Sequence, residues 1–172
     1  MTINTFEPKV EHPNRRLLPQ SLLETNYIVF DMETTGGNPS KNGITELYAL
    51  KYRQGKVVDE FYSMVNPGVN IPPIVRRITG ITNQMVRGAP KIHQVMGNFM
   101  EFIGDDVLVS HNTVGDLKFV EHFAWEVCSK KVENYFLCTH LLAEKLIQDA
   151  PSNTLSGLCE FLGYSQDKNH RA

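Results

Sequence analysis

Two carboxylates lie two residues apart at the end of an apolar segment. Asp31 and Glu33 follow the run Tyr27–Phe30, which is typical of a buried strand. Side chains alternate between the faces of a strand, so Asp31 and Glu33 are expected on the same side of a sheet. Neighbouring carboxylates repel each other unless a cation neutralises them, and hard cations such as Mg²⁺ take oxygen ligands. The pair predicts either a metal site or two solvated surface acids.

A third carboxylate, Asp116, is predicted in the first turn of a helix. The apolar run Val107–Val109 predicts a buried strand, and His111 and Asn112 follow it. After Asp116, apolar residues recur at helical spacing and predict the buried side of a helix: Leu117, Phe119, Val120 and Phe123. Asp116 is therefore expected where a strand ends and a helix begins.

Together with His170-Arg171-Ala172 at the end of the chain, these residues resemble the motifs of the DEDDh 3′→5′ exonucleases, the DnaQ-like family. The family includes the proofreading subunit of bacterial DNA polymerase III and RNase T. The resemblance extends from Tyr27 to Ala172, with all motifs in order. The first motif is matched by Asp31 and Glu33, the second by Asp116 with His111 and Asn112, and the third by His170.

The resemblance implies a metal-dependent exonuclease that releases nucleoside monophosphates from single-stranded or frayed DNA 3′ ends. Two divalent cations, Mg²⁺ or Mn²⁺, would be held by Asp31, Glu33 and Asp116, and His170 would be the general base. The candidate substrate-binding residues are Thr34, Thr35, Gly36, Glu46 and Asn112. The alternatives are turn chemistry for the threonines, a surface acid at Glu46 and a role in the strand-to-helix turn for Asn112.

Three features depart from the family pattern. The family has a fourth acidic ligand five residues after the histidine of its third motif, whereas this sequence stops at Ala172. We therefore expect the sequence to be truncated there. Gly37 stands where many relatives have a bulky apolar residue that packs against the terminal base, and Gly115 stands where an aromatic residue is common.

Two other functions are compatible with the same residues. The first is a 3′→5′ exoribonuclease of the RNase T type, because nothing in the sequence marks recognition of the 2′-hydroxyl. The second is a non-catalytic module that binds nucleic-acid ends. A proofreading or repair role would need a polymerase or repair protein as a partner.

The order of the predicted elements indicates an α/β fold. Three strands followed by alternating strands and helices predict a mixed five-stranded sheet flanked by helices, as in the ribonuclease H-like fold. Residues 1–24 are expected to form an irregular arm and residues 25–172 the exonuclease domain. The predicted strands are Tyr27–Met32, Ile44–Arg53, Lys56–Asn66, Val107–Ser110 and Tyr135–Cys138. The predicted helices are a short one from Pro72 to near Thr79, then Lys91–Ile103, Val114–Val127, Thr139–Gln148 and Thr154–Leu162.

Composition favours one globular domain. The chain has 172 residues and a net charge of −2, which argues against a protein that coats nucleic acid through bulk charge. It has no apolar stretch of membrane-spanning length and no secretion signal. We therefore expect a cytoplasmic protein without membrane contact.

The remaining predictions concern cysteines, methionines and histidines. The three scattered cysteines are expected to be reduced thiols, with Cys138 and Cys159 in the core. The residues expected to fill the core are Met85, Met96 and Met100. Those expected at the surface or at helix caps are His93, His122 and His140.

Overall fold

A computed structural model of the chain describes residues 24–164. These residues form a mixed five-stranded sheet. Its strands in chain order are β1 (Tyr27–Thr34), β2 (Ile44–Arg53), β3 (Lys56–Met64), β4 (Val107–Ser110) and β5 (Phe136–Cys138). Their order across the sheet is β3-β2-β1-β4-β5. The β1–β2 and β2–β3 pairs are antiparallel, whereas the β1–β4 and β4–β5 pairs are parallel. The predicted mixed sheet is confirmed.

The described residues also form helices that follow β3, β4 and β5. They are α1 (Pro73–Thr79), α2 (Asn83–Val86), α3 (Ile92–Ile103), α4 (Val114–Cys128), α5 (Thr139–Leu146) and α6 (Leu155–Phe161). The sequence patterns predict all of these except α2. That helix is a single turn, and the Thr82 hydroxyl caps it by accepting a hydrogen bond from the Met85 N–H at 3.3 Å.

One face of the sheet packs against α3 and α4. The buried residues Ile28, Phe30 and Met32 alternate along β1 with more exposed residues. The ring of Phe30 lies 6.3 Å from that of Phe99 in α3. From α4, the predicted core residues are all buried: Leu117, Phe119, Val120 and Phe123. Because side chains alternate, Asp31 and Glu33 are directed to the opposite face of the sheet.

The turn between β4 and α4 places the start of α4 near the end of β1. Strands β1 and β4 are neighbours and parallel, so their carboxyl ends lie side by side. After β4 the chain passes through Asn112, whose φ of 66° is left-handed and is better tolerated by Asn than by most residues. The Thr113 hydroxyl donates a hydrogen bond to the Ser110 carbonyl at 3.2 Å. This closed turn holds the first turn of α4 in place.

Several detailed predictions were wrong. Met85 is 45% exposed because α2 directs only Val86 into the core. The Met85 sulfur instead accepts a hydrogen bond from the Thr82 N–H at 3.4 Å. Cys138 and Cys159 are half-buried rather than in the core, although all three cysteines are free thiols as predicted. Cys138 ends a short strand at the edge of the sheet, where burial is incomplete.

Strand β1 is two residues longer than predicted. Pairing with β2 continues to Thr34, with an irregularity between Glu33 and Thr34. Asp31 lies inside the hydrogen-bonded strand, as predicted, and Glu33 also lies inside it and not after it. This pairing fixes their backbone more firmly than a loop would.

The histidines predicted at the surface are exposed or half-buried. His93 is exposed, while His122 and His140 are half-buried. Their Nε2 atoms lie 3.4 Å and 3.5 Å from the carboxylates of Glu126 and Glu144, each one helical turn later.

Part of the predicted domain organisation falls outside the described residues. The expected N-terminal arm, residues 1–24, is described only at Glu24, so a boundary at this point stays a prediction. Between residues 24 and 164, no helix is long and apolar enough to cross a bilayer.

Candidate active site

Asp31 and Glu33 lie on the face of β1 that is turned away from α3 and α4. Pairing with β2 places Tyr48 opposite Asp31 and Glu46 opposite Glu33. Directly opposite residues of an antiparallel pair have neighbouring side chains on one face of the sheet. Asp31 is exposed and Glu33 is half-buried, so this part of the face is open to solvent.

Asp116 joins this pair from the first turn of α4. Burial, followed by the charge of Asp31, raises the pKa of Asp116 from 3.8 to about 7, and Glu33 contributes further. A carboxyl group close enough to both acids to respond to their charges belongs to the same cluster. The structure thus brings together the three carboxylates that the sequence motifs single out.

Ser110, the last residue of β4, lies near Asp116. Its hydroxyl opposes the rise in the Asp116 pKa. The same Oγ is buried and has no partner at direct hydrogen-bond distance within residues 24–164.

The carboxylate cluster has the donor chemistry of a site for hard divalent cations. Asp31, Glu33 and Asp116 offer only oxygen donors, which Mg²⁺ and Mn²⁺ prefer. They come from a strand and a helix, and their mutual repulsion would be relieved by a cation. Among the described residues, however, no three acidic, histidine or cysteine side chains already stand in ligand geometry. The carboxylates are neighbours that would have to close around an ion.

Glu46 is a buried acid and not a surface one. It is 1% exposed, and its Oε1 accepts a hydrogen bond from the Tyr62 hydroxyl at 3.0 Å. Glu46 lies opposite Glu33, so it belongs to the same face as the carboxylate cluster. The surface alternative considered for this residue is therefore wrong.

The loop after β1 is held by its own threonines. The Thr35 hydroxyl donates a hydrogen bond to Asn42 Oδ1 at 3.3 Å and accepts one from the Gly43 N–H at 3.1 Å. The Thr34 hydroxyl donates to the Gly36 carbonyl at 3.0 Å. Both hydroxyls are used within the loop, which agrees with the turn-chemistry interpretation of this pair.

His111 and Asn112 are tied to the strand-to-helix turn in different ways. The Nδ1 of His111 lies 3.0 Å from the Thr139 hydroxyl. Burial, followed by the neighbouring His140, lowers the pKa of His111, which favours the neutral ring. Asn112 provides the left-handed residue of the turn, and its side chain is exposed. The geometry fits a structural role for His111 and leaves Asn112 accessible.

The site also contains residues that the motifs do not indicate. Tyr62 and Ser110 contribute to its polar environment, yet neither belongs to a recognisable motif. The alternation of side chains along β3 could have predicted that Tyr62 faces away from the core. That Tyr62 reaches Glu46 depends on the register between β2 and β3. His170, the predicted general base, lies outside the described residues.

The family comparison gives a match over most of the chain. The exonuclease family model RNase_T matches residues 28–172. The chain is 33% identical over 160 residues to DNA polymerase III subunit epsilon of Aquifex aeolicus, covering 93% of this chain and 79% of that protein. It is 38% identical over 149 residues to a PolC-type DNA polymerase III of Clostridium perfringens, covering 87% of this chain but 10% of that protein.

Solved structures show the same fold. The zinc-bound form of exonuclease I from E. coli, in complex with single-stranded DNA, superposes with a TM-score of 0.74. The identity is 17%, and the match covers 86% of this chain and 37% of that one. This likeness establishes a ribonuclease H-like fold. With the family match and the epsilon-subunit relative, it follows that the chain belongs to the DnaQ-like exonuclease family and is an exonuclease.

Proposed function

We propose that this chain is a metal-dependent 3′→5′ exonuclease that releases nucleoside monophosphates from DNA ends. The observation that carries the proposal is the cluster of Asp31, Glu33 and Asp116 at the carboxyl ends of β1 and β4, where α4 begins. The pKa of Asp116, raised to about 7 by burial and by the other two charges, reflects how closely they lie. Such mutual perturbation of carboxyl groups is typical of functional sites.

Asp31, Glu33 and Asp116 would hold two divalent cations, Mg²⁺ or Mn²⁺. When bound, such ions lower the pKa of water and neutralise charge on the phosphoryl oxygens of a phosphodiester. The chain contributes three carboxylate side chains from β1 and α4, which are regular elements and not loops. Ligands on regular elements are held more precisely than ligands on loops.

The neighbouring residues would position the substrate and move a proton. His170 would accept the proton of the attacking water, because a neutral imidazole is a suitable base near pH 7. The backbone of the loop at Thr34–Gly36, held by its internal hydrogen bonds, would support the terminal nucleotide. The exposed side chain of Asn112 would contact it from the β4–α4 turn.

Single-stranded or frayed DNA is the substrate that we propose. Its support is that the two curated relatives described above are DNA polymerase III proteins and that exonuclease I was solved with single-stranded DNA. RNA ends are the second candidate, because the matching family model carries the name RNase_T. A polymerase partner is proposed from the same relatives, although this chain spans only a part of the PolC-type protein. A repair partner and a cytoplasmic location stay predictions from the sequence.

The test is digestion of a 5′-labelled single-stranded DNA, and of a matched RNA, in Mg²⁺ and in Mn²⁺. We expect shortening from the 3′ end that EDTA stops. Asp31→Ala and Asp116→Ala should each lose at least about 10–100-fold in rate, because a lost ligand should cost no less than a lost outer-shell partner. Asp105→Ala is the matched control. Asp105 is an exposed acid just before the first residue of β4, whereas the turn to Asp116 follows the last residue of β4.

The outcomes separate the candidate functions. Undiminished cleavage by Asp31→Ala, or shortening from the 5′ end, would contradict the proposal. Faster digestion of the RNA would favour the exoribonuclease. Binding of both oligonucleotides without any cleavage in either metal would favour the non-catalytic module.

A further inference from the structure

A buried glutamate lies beside the proposed metal ligands without being one of them. Glu46 in β2 is 1% exposed. Burying a carboxyl group is costly unless it is paired or hydrogen-bonded. The Tyr62 hydroxyl, from the neighbouring strand β3, donates a hydrogen bond to Glu46 Oε1 at 3.0 Å. One oxygen of this buried carboxyl group is therefore held in a defined position.

The strand register places Glu46 next to Glu33. Glu33 of β1 lies opposite Glu46 of β2, which in turn lies opposite Met64 of β3. Side chains of directly opposite residues share a face, with about 4.5–5.5 Å between their Cβ atoms. Tyr62 reaches Glu46 diagonally from two residues before Met64. Tyr62, Glu46 and the proposed ligand Glu33 are thus neighbours on three adjacent strands.

We propose that Glu46 is a positioning residue for Glu33, held in place by Tyr62, and that its carboxyl group strengthens divalent-cation binding at the site. This inference rests on the proposed function. Residues behind metal ligands orient them and tune the affinity for the ion, and their loss typically weakens binding about 10–100-fold.

A positioning role and a purely structural role predict opposite results. If Glu46 only supports the fold, replacing it lowers stability and leaves cation affinity unchanged. Glu46→Gln keeps an oxygen that can accept the Tyr62 hydrogen bond, and it replaces the carboxyl group beside Glu33 with an amide. A positioning role therefore predicts weaker cation binding, while the cation-free protein stays equally stable or becomes more stable.

A second tyrosine–glutamate pair on the same strands provides a matched control. The Tyr48 hydroxyl of β2 donates to Glu60 Oε2 of β3 at 3.2 Å. Glu60 lies opposite Leu50, four residues along β2 from Glu46, and it is exposed. Glu60→Gln makes the same acid-to-amide change in the same kind of pair, but at an exposed side chain farther from Glu33, although its partner Tyr48 lies opposite Asp31.

The experiment is a Mn²⁺ titration of the 172-residue chain without substrate, followed by the electron paramagnetic resonance signal of the free ion. We expect Glu46→Gln to weaken Mn²⁺ binding about 10–100-fold and Tyr62→Phe to weaken it less. Glu60→Gln should stay within about twofold, since solvent screens an exposed charge. The nuclease rate of Glu46→Gln should recover at high Mn²⁺.

Each outcome bears on a different statement. Unaltered Mn²⁺ affinity in both Glu46→Gln and Tyr62→Phe overturns the inference and leaves the exonuclease proposal standing. An equal loss of affinity in Glu60→Gln also overturns it, because general charge would then suffice. If Glu46→Gln does not fold, the Mn²⁺ affinity of Tyr62→Phe decides between the positioning role and the structural role. Absence of Mn²⁺ binding by the unaltered chain overturns both the metal site and the inference.

Discussion

Asp116 lies close enough to Asp31 for the charge of Asp31 to raise the pKa of Asp116. Burial makes the larger contribution and Glu33 a smaller one, and together they raise the pKa from 3.8 to about 7. In the unfolded chain the same carboxyl group is solvated and ionises near pH 4. Near neutral pH, the cation-free folded state must therefore either keep Asp116 protonated or place its negative charge beside those of Asp31 and Glu33.

We expect the cation-free protein to lose stability through Asp116 as the pH rises from about 4 to about 7. In this window the folded state keeps a proton that the unfolded chain has released, and stability then falls with rising pH. The two pKa values limit the loss to roughly 4 kcal/mol. This loss of stability is measured by denaturant unfolding, in EDTA, of the unaltered chain and of Asp116→Asn.

The informative quantity is the difference between the two free energies of unfolding. Asp116→Asn cannot titrate, so the difference should move in favour of this variant as the pH rises and should level off above about pH 7. Asp105→Asn, which changes an exposed acid, should follow the unaltered chain. Parallel pH profiles for the unaltered chain and Asp116→Asn would contradict the raised pKa.

Mn²⁺ should stabilise the protein more at pH 8 than at pH 5.5. An ion that binds only the folded state stabilises it by mass action, and at pH 5.5 it must first displace the Asp116 proton. The melting temperature with and without Mn²⁺ gives the comparison. Asp31→Asn should lose most of the increase at both pH values. An undiminished increase in Asp31→Asn would place the ion elsewhere.

Local sequence patterns were sufficient to predict the elements that carry the three carboxylates. Strand alternation places Asp31 and Glu33 on one face, and helical spacing after Asp116 predicts α4 and its buried side. Pro72 and Pro73, the N-cap and first residue of α1, likewise predict where the helix starts, because proline suits the first helical turn. These features depend on neighbours within a few residues along the chain.

The partners of Glu46 could not be predicted in this way, because they depend on strand register. The turn at Gln54-Gly55 has left-handed φ angles of 50° and 72° and sets the first pairs of β2 and β3. Counting from that turn would place Ser63 opposite Glu46. An irregularity between Lys51 and Tyr52 shifts the register by one residue, so Met64 occupies that position. A one-residue shift exchanges the faces of a strand, and here it brings Tyr62 to Glu46.

Two adjacent glycines in the loop after β1 should respond differently to alanine. A Cβ added to Gly36 would lie 2.7 Å from Asn42 Oδ1, whereas one added to Gly37 would meet nothing within 4 Å. Gly36→Ala must displace Asn42, which accepts the Thr35 hydrogen bond. We expect a loss of about 1 kcal/mol in stability and a clear loss of nuclease rate for Gly36→Ala.

Gly37→Ala is the matched control and should stay within about 0.5 kcal/mol of the unaltered chain. Denaturant unfolding and single-turnover cleavage of single-stranded DNA test the pair together. If both variants cleave at the unaltered rate, the ordered loop is not needed to support the terminal nucleotide.

Helix α1 packs beside the face that carries Glu46. Met64, opposite Glu46, and Val75 of α1 both pack on a small apolar cluster. The buried members of that cluster are Ile71, Ile81 and Val86. The helix therefore lies on the same side of the sheet as Glu46 and Glu33.

The exposed side of α1 combines basic and apolar side chains. Arg76 and Arg77 are exposed, and neither forms an ion pair of 4 Å or less with a described residue. Ile74 and Ile78 are 50% and 49% exposed, one helical turn apart. Single-stranded DNA offers phosphates for such arginines and base faces for such apolar groups.

We expect Arg76→Gln/Arg77→Gln to weaken binding of single-stranded DNA and to make it less dependent on salt. Each phosphate contact contributes about 0.7 to the slope of log affinity against log salt, so loss of two contacts should reduce the slope by about 1.4. The matched control is Lys130→Gln/Lys131→Gln, an exposed pair beyond the far end of α4. Fluorescence anisotropy in EDTA, across a range of salt concentrations, separates binding from cleavage. Equal slopes for the two double variants would show that α1 does not contact the phosphates.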